Sequence, residues 1–171
     1  DLELYVCATA ACSTGTNVIL ETTGDVGQYA SVAIGDDGNP VISHYDSTNG
    51  DLELYVCDLF FIFSDATCSP GTNVELETDG NVGLYTSVAI GDDGNPVIAY
   101  YDSTNGDLDL YVCANAACST GTNVELETTG DVGQYASVAI GDDGNPVISH
   151  YDNTNDDLEV ARVKMPVTGI A

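Results

Sequence analysis

The sequence predicts an all-β protein made of tandem four-stranded antiparallel units that stack on one another. The main observation is a repeat: DLELYVC stands at residues 1–7 and 51–57, and DLDLYVC at 107–113, so a unit of about fifty residues recurs. Each unit holds short β-branched or alternating runs closed by Asp-Gly turns, which favours hairpins over helices. Repeats of this period bury their apolar faces against their neighbours, so we expect a stack.

Four strands are predicted in each repeat, and the residues from 123 to 160 illustrate them. Two β-branched runs at 137–141 and 146–151 flank an Asp-Gly turn, and the second run begins with Pro, which the first position of a strand tolerates. After another turn, a third strand begins at 158–160; in the earlier copies it alternates apolar and polar residues. The fourth strand follows the cysteine loop at 123–127, with Val and Leu facing inward and both Glu outward.

Four short antiparallel strands in about fifty residues describe a propeller-type blade. The run SVAIGDDGNPVISHYDSTNGDLELYVC at 31–57 resembles the blade repeat of secreted bacterial β-propellers, in the sialidase-like group with a GNPxISYYD-type motif, and is also similar to NHL repeats. This resemblance covers nearly the whole chain and implies that SVAIG is the innermost strand, followed by PVISHYD, DLELYVC and NVELE. Trp and the Asp-box SxDxGxTW are absent, so no catalytic residue is carried over.

The repeats organise the chain as a single repeat domain, 1–171. Its repeats are 1–50, 51–106 and 107–156, followed by a partial terminal strand at 157–171. With the strand order above, the chain begins in the middle of one blade and holds about 3.5 blades, whereas closed propellers have about four to eight. An open-ended stack exposes strand edges and apolar faces. Further blades in a longer chain, a dimer that closes a ring, or an open polymer would each cover them.

The composition excludes two classes of partner. The chain has 28 acidic and two basic residues, for a net charge of -26. Nucleic acid and anionic membrane surfaces both require clustered Lys and Arg, so we expect neither as a partner. Membrane insertion is not expected either, because no stretch approaches the roughly 18 apolar residues that cross a bilayer. The charge keeps copies soluble, or it serves cation binding; both interpretations stay open.

Cysteine usage predicts three local disulfides. The six Cys fall as one pair per repeat: Cys7 with Cys12, Cys57 with Cys68, and Cys113 with Cys118. Each pair brackets the same loop after the same strand, which selects this pairing among fifteen. Metal ligation is the alternative, although CxxxxC without His partners is a weak zinc signal. Disulfides indicate an oxidising compartment, so we expect an extracellular or cell-surface protein.

The loop between the cysteines of the second copy is the first candidate for an assembly interface. It is about six residues longer than its counterparts and contains every Phe of the chain. Its apolar members are Leu59, Phe60, Phe61, Ile62 and Phe63. A solvated loop of this kind would be an exposed apolar patch, which predicts a plug inserted into another copy. A flap folded onto its own blade edge is the alternative.

Two further differences between the copies mark candidate interface residues. Ile19 stands where the other copies have Glu75 and Glu125, which suggests that this outer face is covered only in the first copy; the alternative is harmless drift. Arg162 and Lys164 are the two basic residues of the chain, and they make the last strand cationic and share one face of it. They are expected either to dock on a neighbour's carboxylates or to cap the end of the chain.

Catalytic and metal chemistry find little support in the sequence. Ser43, His44 and Tyr45 are adjacent in a strand, so their side chains alternate between faces and do not converge as a nucleophile, base and orienter would. We expect His44 and His150 to be satisfied strand residues. No cofactor is expected; calcium is the alternative, and its signal is weak because the turn acids lack the DxDxDG spacing. The candidates are Asp36, Asp37, Asp92, Asp93, Asp142 and Asp143.

These observations predict a non-catalytic extracellular structural repeat protein. It is expected to bind copies of itself through its open blade edges and to form a ring, a filament or a surface layer. The alternative is a lectin-like propeller module that binds glycans, since repeated tyrosines such as Tyr5, Tyr55 and Tyr111 can stack on sugars. Packing within the blades is the simpler interpretation of these tyrosines.

Overall fold

All regular structure in the computed structural model is β-strand within the residues that it describes, namely 1–58, 68 and 71–165. The strands form four antiparallel sheets, so the all-β prediction is confirmed. Sheet 1 contains β1 (Leu2–Cys7) and β2 (Gly15–Glu21). Sheet 2 contains β3 (Gln28–Ile34), β4 (Pro40–Asp46), β5 (Asp51–Cys57) and β6 (Gly71–Glu77). Sheet 3 contains β7 (Leu84–Ile90), β8 (Pro96–Asp102), β9 (Asp107–Cys113) and β10 (Gly121–Glu127), and sheet 4 contains β11 (Val132–Ile140), β12 (Pro146–Asp152) and β13 (Asp157–Arg162).

Strands that follow one another in the sequence are neighbours in each sheet. The order is β3-β4-β5-β6 in sheet 2 and β10-β9-β8-β7 in sheet 3. The hairpin turn between β3 and β4 explains this locally, because Gly35 N donates to Asn39 O at 2.8 Å and Asp37 Oδ1 accepts from Asn39 N at 2.9 Å. In the described ranges no helix is long and apolar enough to cross a bilayer.

The sheets pack face to face in chain order through three apolar clusters. The cluster between sheets 1 and 2 includes Leu2, Val26, Ile42 and Tyr55. Between sheets 2 and 3 it includes Leu52, Leu54, Val88 and Ile98, and between sheets 3 and 4 Leu108, Leu110, Val138 and Ile148. The middle sheets are therefore apolar on both sides, and each sheet covers one face of the next.

Three disulfides close the loops that join the third and fourth strands of a repeat. They link Cys7 to Cys12, Cys57 to Cys68, and Cys113 to Cys118. Each joins Cα atoms 4.8 Å apart, within the usual range for this bond. These are the three pairs predicted from the repeat.

Candidate assembly faces

The two internal junctions between complete sheets share one polar contact. Val88 N donates to Ser31 Oγ at 3.2 Å between sheets 2 and 3, and Val138 N donates to Ser87 Oγ at 3.1 Å between sheets 3 and 4. Each serine thus accepts a hydrogen bond from the backbone of the first strand of the next sheet. The equivalent Ser137 of sheet 4 is exposed, as is Val32 of sheet 2. The accepting serine is therefore exposed at one end of the stack, and the valine whose backbone would donate is exposed at the other end.

Sheet 4 exposes an apolar face that the other sheets bury. Leu158 and Val160 are 77% and 63% exposed. Their counterparts are fully buried, at 0%: Leu52, Leu54, Leu108 and Leu110. These counterparts pack on the following sheet, so Leu158 and Val160 point to where a following sheet would lie. We call Ser137, Leu158 and Val160 the trailing face.

The opposite end of the stack is exposed in a complementary way. Val32 is 60% exposed, whereas its counterparts Val88 and Val138, which pack on the preceding sheet, are 6% and 9% exposed. Ile34 is exposed beside it. Sheet 1 consists of the two strands β1 and β2, which leaves this side of β3 uncovered.

Ile19 belongs to this same end. Leu4 and Leu20 pack toward sheet 2, and strand residues alternate between faces, so their neighbours Tyr5 and Ile19 point away from sheet 2. Both side chains are more than half exposed. We call Tyr5, Ile19, Val32 and Ile34 the leading face. The candidate residue Ile19 therefore lies on an open end of the stack.

The Asp-Asp-Gly-Asn turns of successive repeats also meet. A Cβ added to Gly94 would lie 2.8 Å from Asp36 Oδ2, and one added to Gly144 would lie 2.7 Å from Asp92 Oδ2. Each turn therefore receives the first Asp of the preceding turn so closely that a side chain in place of the glycine would displace the carboxylate. At Gly38, the turn at the leading end, no atom of the described residues lies within 4 Å of the same point.

The second Asp of each turn is already used within its own hairpin. Asp37, Asp93 and Asp143 accept hydrogen bonds with both carboxylate oxygens from the backbone and side chain of the Asn two residues later. This arrangement accounts for these carboxylates without a cation. The turns build the hairpin and the contact between sheets.

Arg162 makes an ion pair within its own chain. Its Nη2 donates to Asp143 Oδ2 at 2.5 Å. Hydrogen bonds from Asn145 and then from Arg162 lower the pKa of Asp143 to about 2. Lys164 is exposed beyond the end of β13. The other candidate set, Leu59, Phe60, Phe61, Ile62 and Phe63, lies outside the described residues.

A row of tyrosines, which the sequence pattern did not reveal, runs across sheets 2, 3 and 4. The ring centroids of Tyr29 and Tyr85 are 4.7 Å apart, and those of Tyr85 and Tyr135 are 4.4 Å apart. Tyr29 and Tyr135 are exposed. We call these three residues the tyrosine row. Their equal positions in the repeat are the one signal that could have indicated the row in advance.

A second row of side chains is buried between the sheets. His44 Nε2 lies 3.2 Å from Asn73 Oδ1, while Ser43 Oγ accepts from Thr86 Oγ1 at 2.9 Å, so the serine and histidine serve different partners. Tyr100 takes the place of His44 in sheet 3.

No protein-family profile and no curated protein matches the sequence.

Proposed function

We propose that this chain is a non-catalytic extracellular structural protein whose sheets are propeller-type blades and whose copies bind one another head to tail. The observation that carries the proposal is the exposure of Leu158 and Val160, set against complete burial of the same positions in sheets 2 and 3. Exposed apolar surface of this kind is typical of an interaction site. The three disulfides support an oxidising, extracellular location.

The occupant of each open face is inferred from the internal junctions. Between sheets 2 and 3, Leu54 packs in one apolar cluster with Tyr111. On sheet 2 the equivalent place is already filled by Leu4 of β1, so the next copy stacks on sheet 1. In such a contact, Leu158 and Val160 of one copy pack on Tyr5 and Ile19 of the other. A contact between two different faces continues into a ring or a filament.

The net charge opposes this association, so its salt dependence is part of the proposal. Copies that carry -26 each repel one another at low ionic strength. Salt at physiological concentration reduces the Debye length to about 8 Å and screens most of this repulsion. We expect association to strengthen as NaCl is added, because the contact itself is mainly apolar.

Sedimentation velocity over a range of protein concentrations tests the proposal. The 171-residue chain should form species larger than a monomer. Ile19→Lys on one face and Leu158→Lys on the other should each weaken association by at least about tenfold, since burial of an unpaired charge costs several kcal/mol. Thr128→Lys, an exposed turn substitution with the same charge change, is the matched control and should associate like the wild type.

Mixing the two face variants separates a head-to-tail contact from other modes of association. Each variant keeps one intact face, so Ile19→Lys and Leu158→Lys should form a one-to-one complex together but no larger species. A wild-type chain that stays monomeric at physiological salt would refute the proposal, as would two variants that fail to combine while both remain folded by circular dichroism.

Carbohydrate binding is the second candidate function, favoured by the tyrosine row. Exposed aromatic rings such as Tyr29 and Tyr135 offer apolar surface with a polar edge, which suits the faces of sugar rings. A glycan array with the wild type and with Tyr135→Ala tests this candidate. Binding that is lost in Tyr135→Ala would support it, and the absence of any bound glycan would remove it.

A further inference from the structure

Three side chains with metal-ligand chemistry meet between sheets 3 and 4. One ring nitrogen of His150 and one carboxylate oxygen each of Glu127 and Glu159 lie within 4.8 Å of one another. Glu127 ends β10, and His150 and Glu159 are directly paired across β12 and β13. No other group of three such side chains comes together within the described ranges.

His150 is buried without a hydrogen-bond partner, contrary to the expectation of a satisfied strand histidine. The residue is 2% exposed, and neither ring nitrogen has a partner. Its Nε2 lies 3.6 Å from Glu127 Oε2, and Glu159 Oε2 is also buried without a partner. Buried polar groups without a partner destabilise the folded state. Their presence together points to a ligand that satisfies them.

The equivalent side chains in the other sheets each have a protein partner for one polar atom, whereas His44 Nδ1 and Glu53 Oε2 also lack one. His44 Nε2 lies 3.2 Å from Asn73 Oδ1, and the Tyr100 hydroxyl donates to Asn123 Oδ1 at 2.8 Å. Both asparagines come from the fourth strand of the same sheet. In sheet 4 the described residues provide three strands and no such amide. The surroundings of His150 therefore differ in chemistry from those of its counterparts.

We propose that Glu127, His150 and Glu159 bind a zinc ion. One imidazole nitrogen with two carboxylate oxygens is a donor set that zinc accepts, whereas calcium and magnesium prefer oxygen alone. Tetrahedral zinc places its ligand atoms about 3.4 Å apart. The separation of 3.6 Å between His150 and Glu127 is already close to this value.

The charge of the site also favours a cation. One carboxylate oxygen of Glu127 and one of Glu159 lie within 4.8 Å of each other, so the two negative charges repel. A divalent ion between the two carboxylates replaces their repulsion with attraction. Glu127 is 36% exposed in its side chain, so the fourth coordination position is open to water or to an outside ligand. This inference does not depend on self-assembly.

Zinc titration of the full chain with matched variants tests the site. Excess calcium in the buffer occupies the many surface carboxylates. The double variant His150→Tyr, Glu159→Asp introduces the pair that sheet 3 already carries as Tyr100 and Asp109, so it removes the imidazole in a context that the fold accepts. We expect one zinc per wild-type chain and an affinity at least about tenfold lower in this variant. His44→Tyr, Glu53→Asp is the matched control and should keep the wild-type affinity.

Nitrogen NMR of the histidine rings gives a second readout, because the chain has two His. Zinc should shift the ring nitrogens of His150 and leave those of His44 unchanged. Glu127→Gln should weaken binding while folding stays intact, since Glu127 is partly exposed. The proposal is overturned if the wild type shows no saturable zinc site, if the His150 variant binds as tightly, or if both histidines respond alike.

Discussion

Three tyrosines adopt a backbone conformation that bulky residues rarely take. Tyr29, Tyr85 and Tyr135 have φ values of 53°, 54° and 53°. Each lies where the register of its strand shifts, and such a bulge redirects a side chain. The backbone cost is about 1–3 kcal/mol per residue. Contact between neighbouring rings offsets part of it, which explains why the conformation recurs in three adjoining sheets.

The buried cross-strand pairs match a long side chain with a short one. Tyr100 faces Asp109, and His44 faces Glu53. We expect Tyr100→His to destabilise the protein by about 2–3 kcal/mol, because it opens a cavity and leaves Asp109 without its hydroxyl partner. Adding Asp109→Glu should recover at least about 1 kcal/mol through coupling between the two positions. Urea denaturation measures both, and strictly additive effects would contradict the pairing.

Tyrosine ionisation should destabilise the fold at alkaline pH. Burial, followed by the hydrogen bond to Asp131, raises the pKa of Tyr101 to about 12. The folded state thus holds the phenol proton more tightly than the unfolded state, whose pKa is about 10. The contribution of Tyr101 is present below pH 10 and is lost as the pH rises from about 10 to about 12.

The free energy of unfolding measured in urea at several alkaline pH values checks this expectation. Tyr101→Phe should flatten the decline, because it removes one ionising group. Tyr5→Phe, at an exposed tyrosine, is the matched control and should follow the wild type. Equal slopes for Tyr101→Phe and the wild type would show that Tyr101 does not contribute to the pH dependence.

Among the elements, those set by local chemistry were predictable. The strand starts at Pro40, Pro96 and Pro146 and the turns before them follow from residues that are adjacent in sequence. The early starts of β3 and β7, at Gln28 and Leu84, were not predicted. The spacing of apolar residues does not indicate where φ is positive. The bulges at the starts of β3 and β7 depend on contact between tyrosines of different sheets.

The cysteine loops are the element most open to a quantitative test. Loss of a six-residue loop closure costs about 2 kcal/mol in the chain-entropy account. We therefore expect Cys113→Ala, Cys118→Ala to lower the free energy of unfolding by at least about that amount, because both sulfurs are buried as well. The exposed pair Cys7 and Cys12 is the control, and replacing it with Ala should remove only the loop-closure contribution to the free energy of unfolding. A larger loss at the exposed pair would contradict this account.

At the scale of the whole molecule, the position of the open faces could be predicted only in part. Ile19 was identified because its counterparts are Glu75 and Glu125. Val32 and Leu158 were missed because their counterparts are identical in sequence and buried in the structure. Their exposure is set by which sheet lies beside them, and no comparison of the copies reveals that. Arg162 was expected either to dock on a neighbour or to cap the end of the chain, and its bond to Asp143 required knowing which turn lies beside β13.

A cross-linking measurement tests the head-to-tail contact most directly. Leu54 and Tyr111 pack in one cluster between sheets 2 and 3, so Val160 of one copy should pack on Tyr5 of the next. Chains with Val160→Cys and chains with Tyr5→Cys are mixed under mild oxidation and analysed by intact mass spectrometry. We expect a covalent dimer of the two variants, and none when Thr128→Cys replaces either of them. A mixture in which Val160→Cys and Tyr5→Cys chains associate but cross-link no more than the Thr128→Cys control would contradict the account.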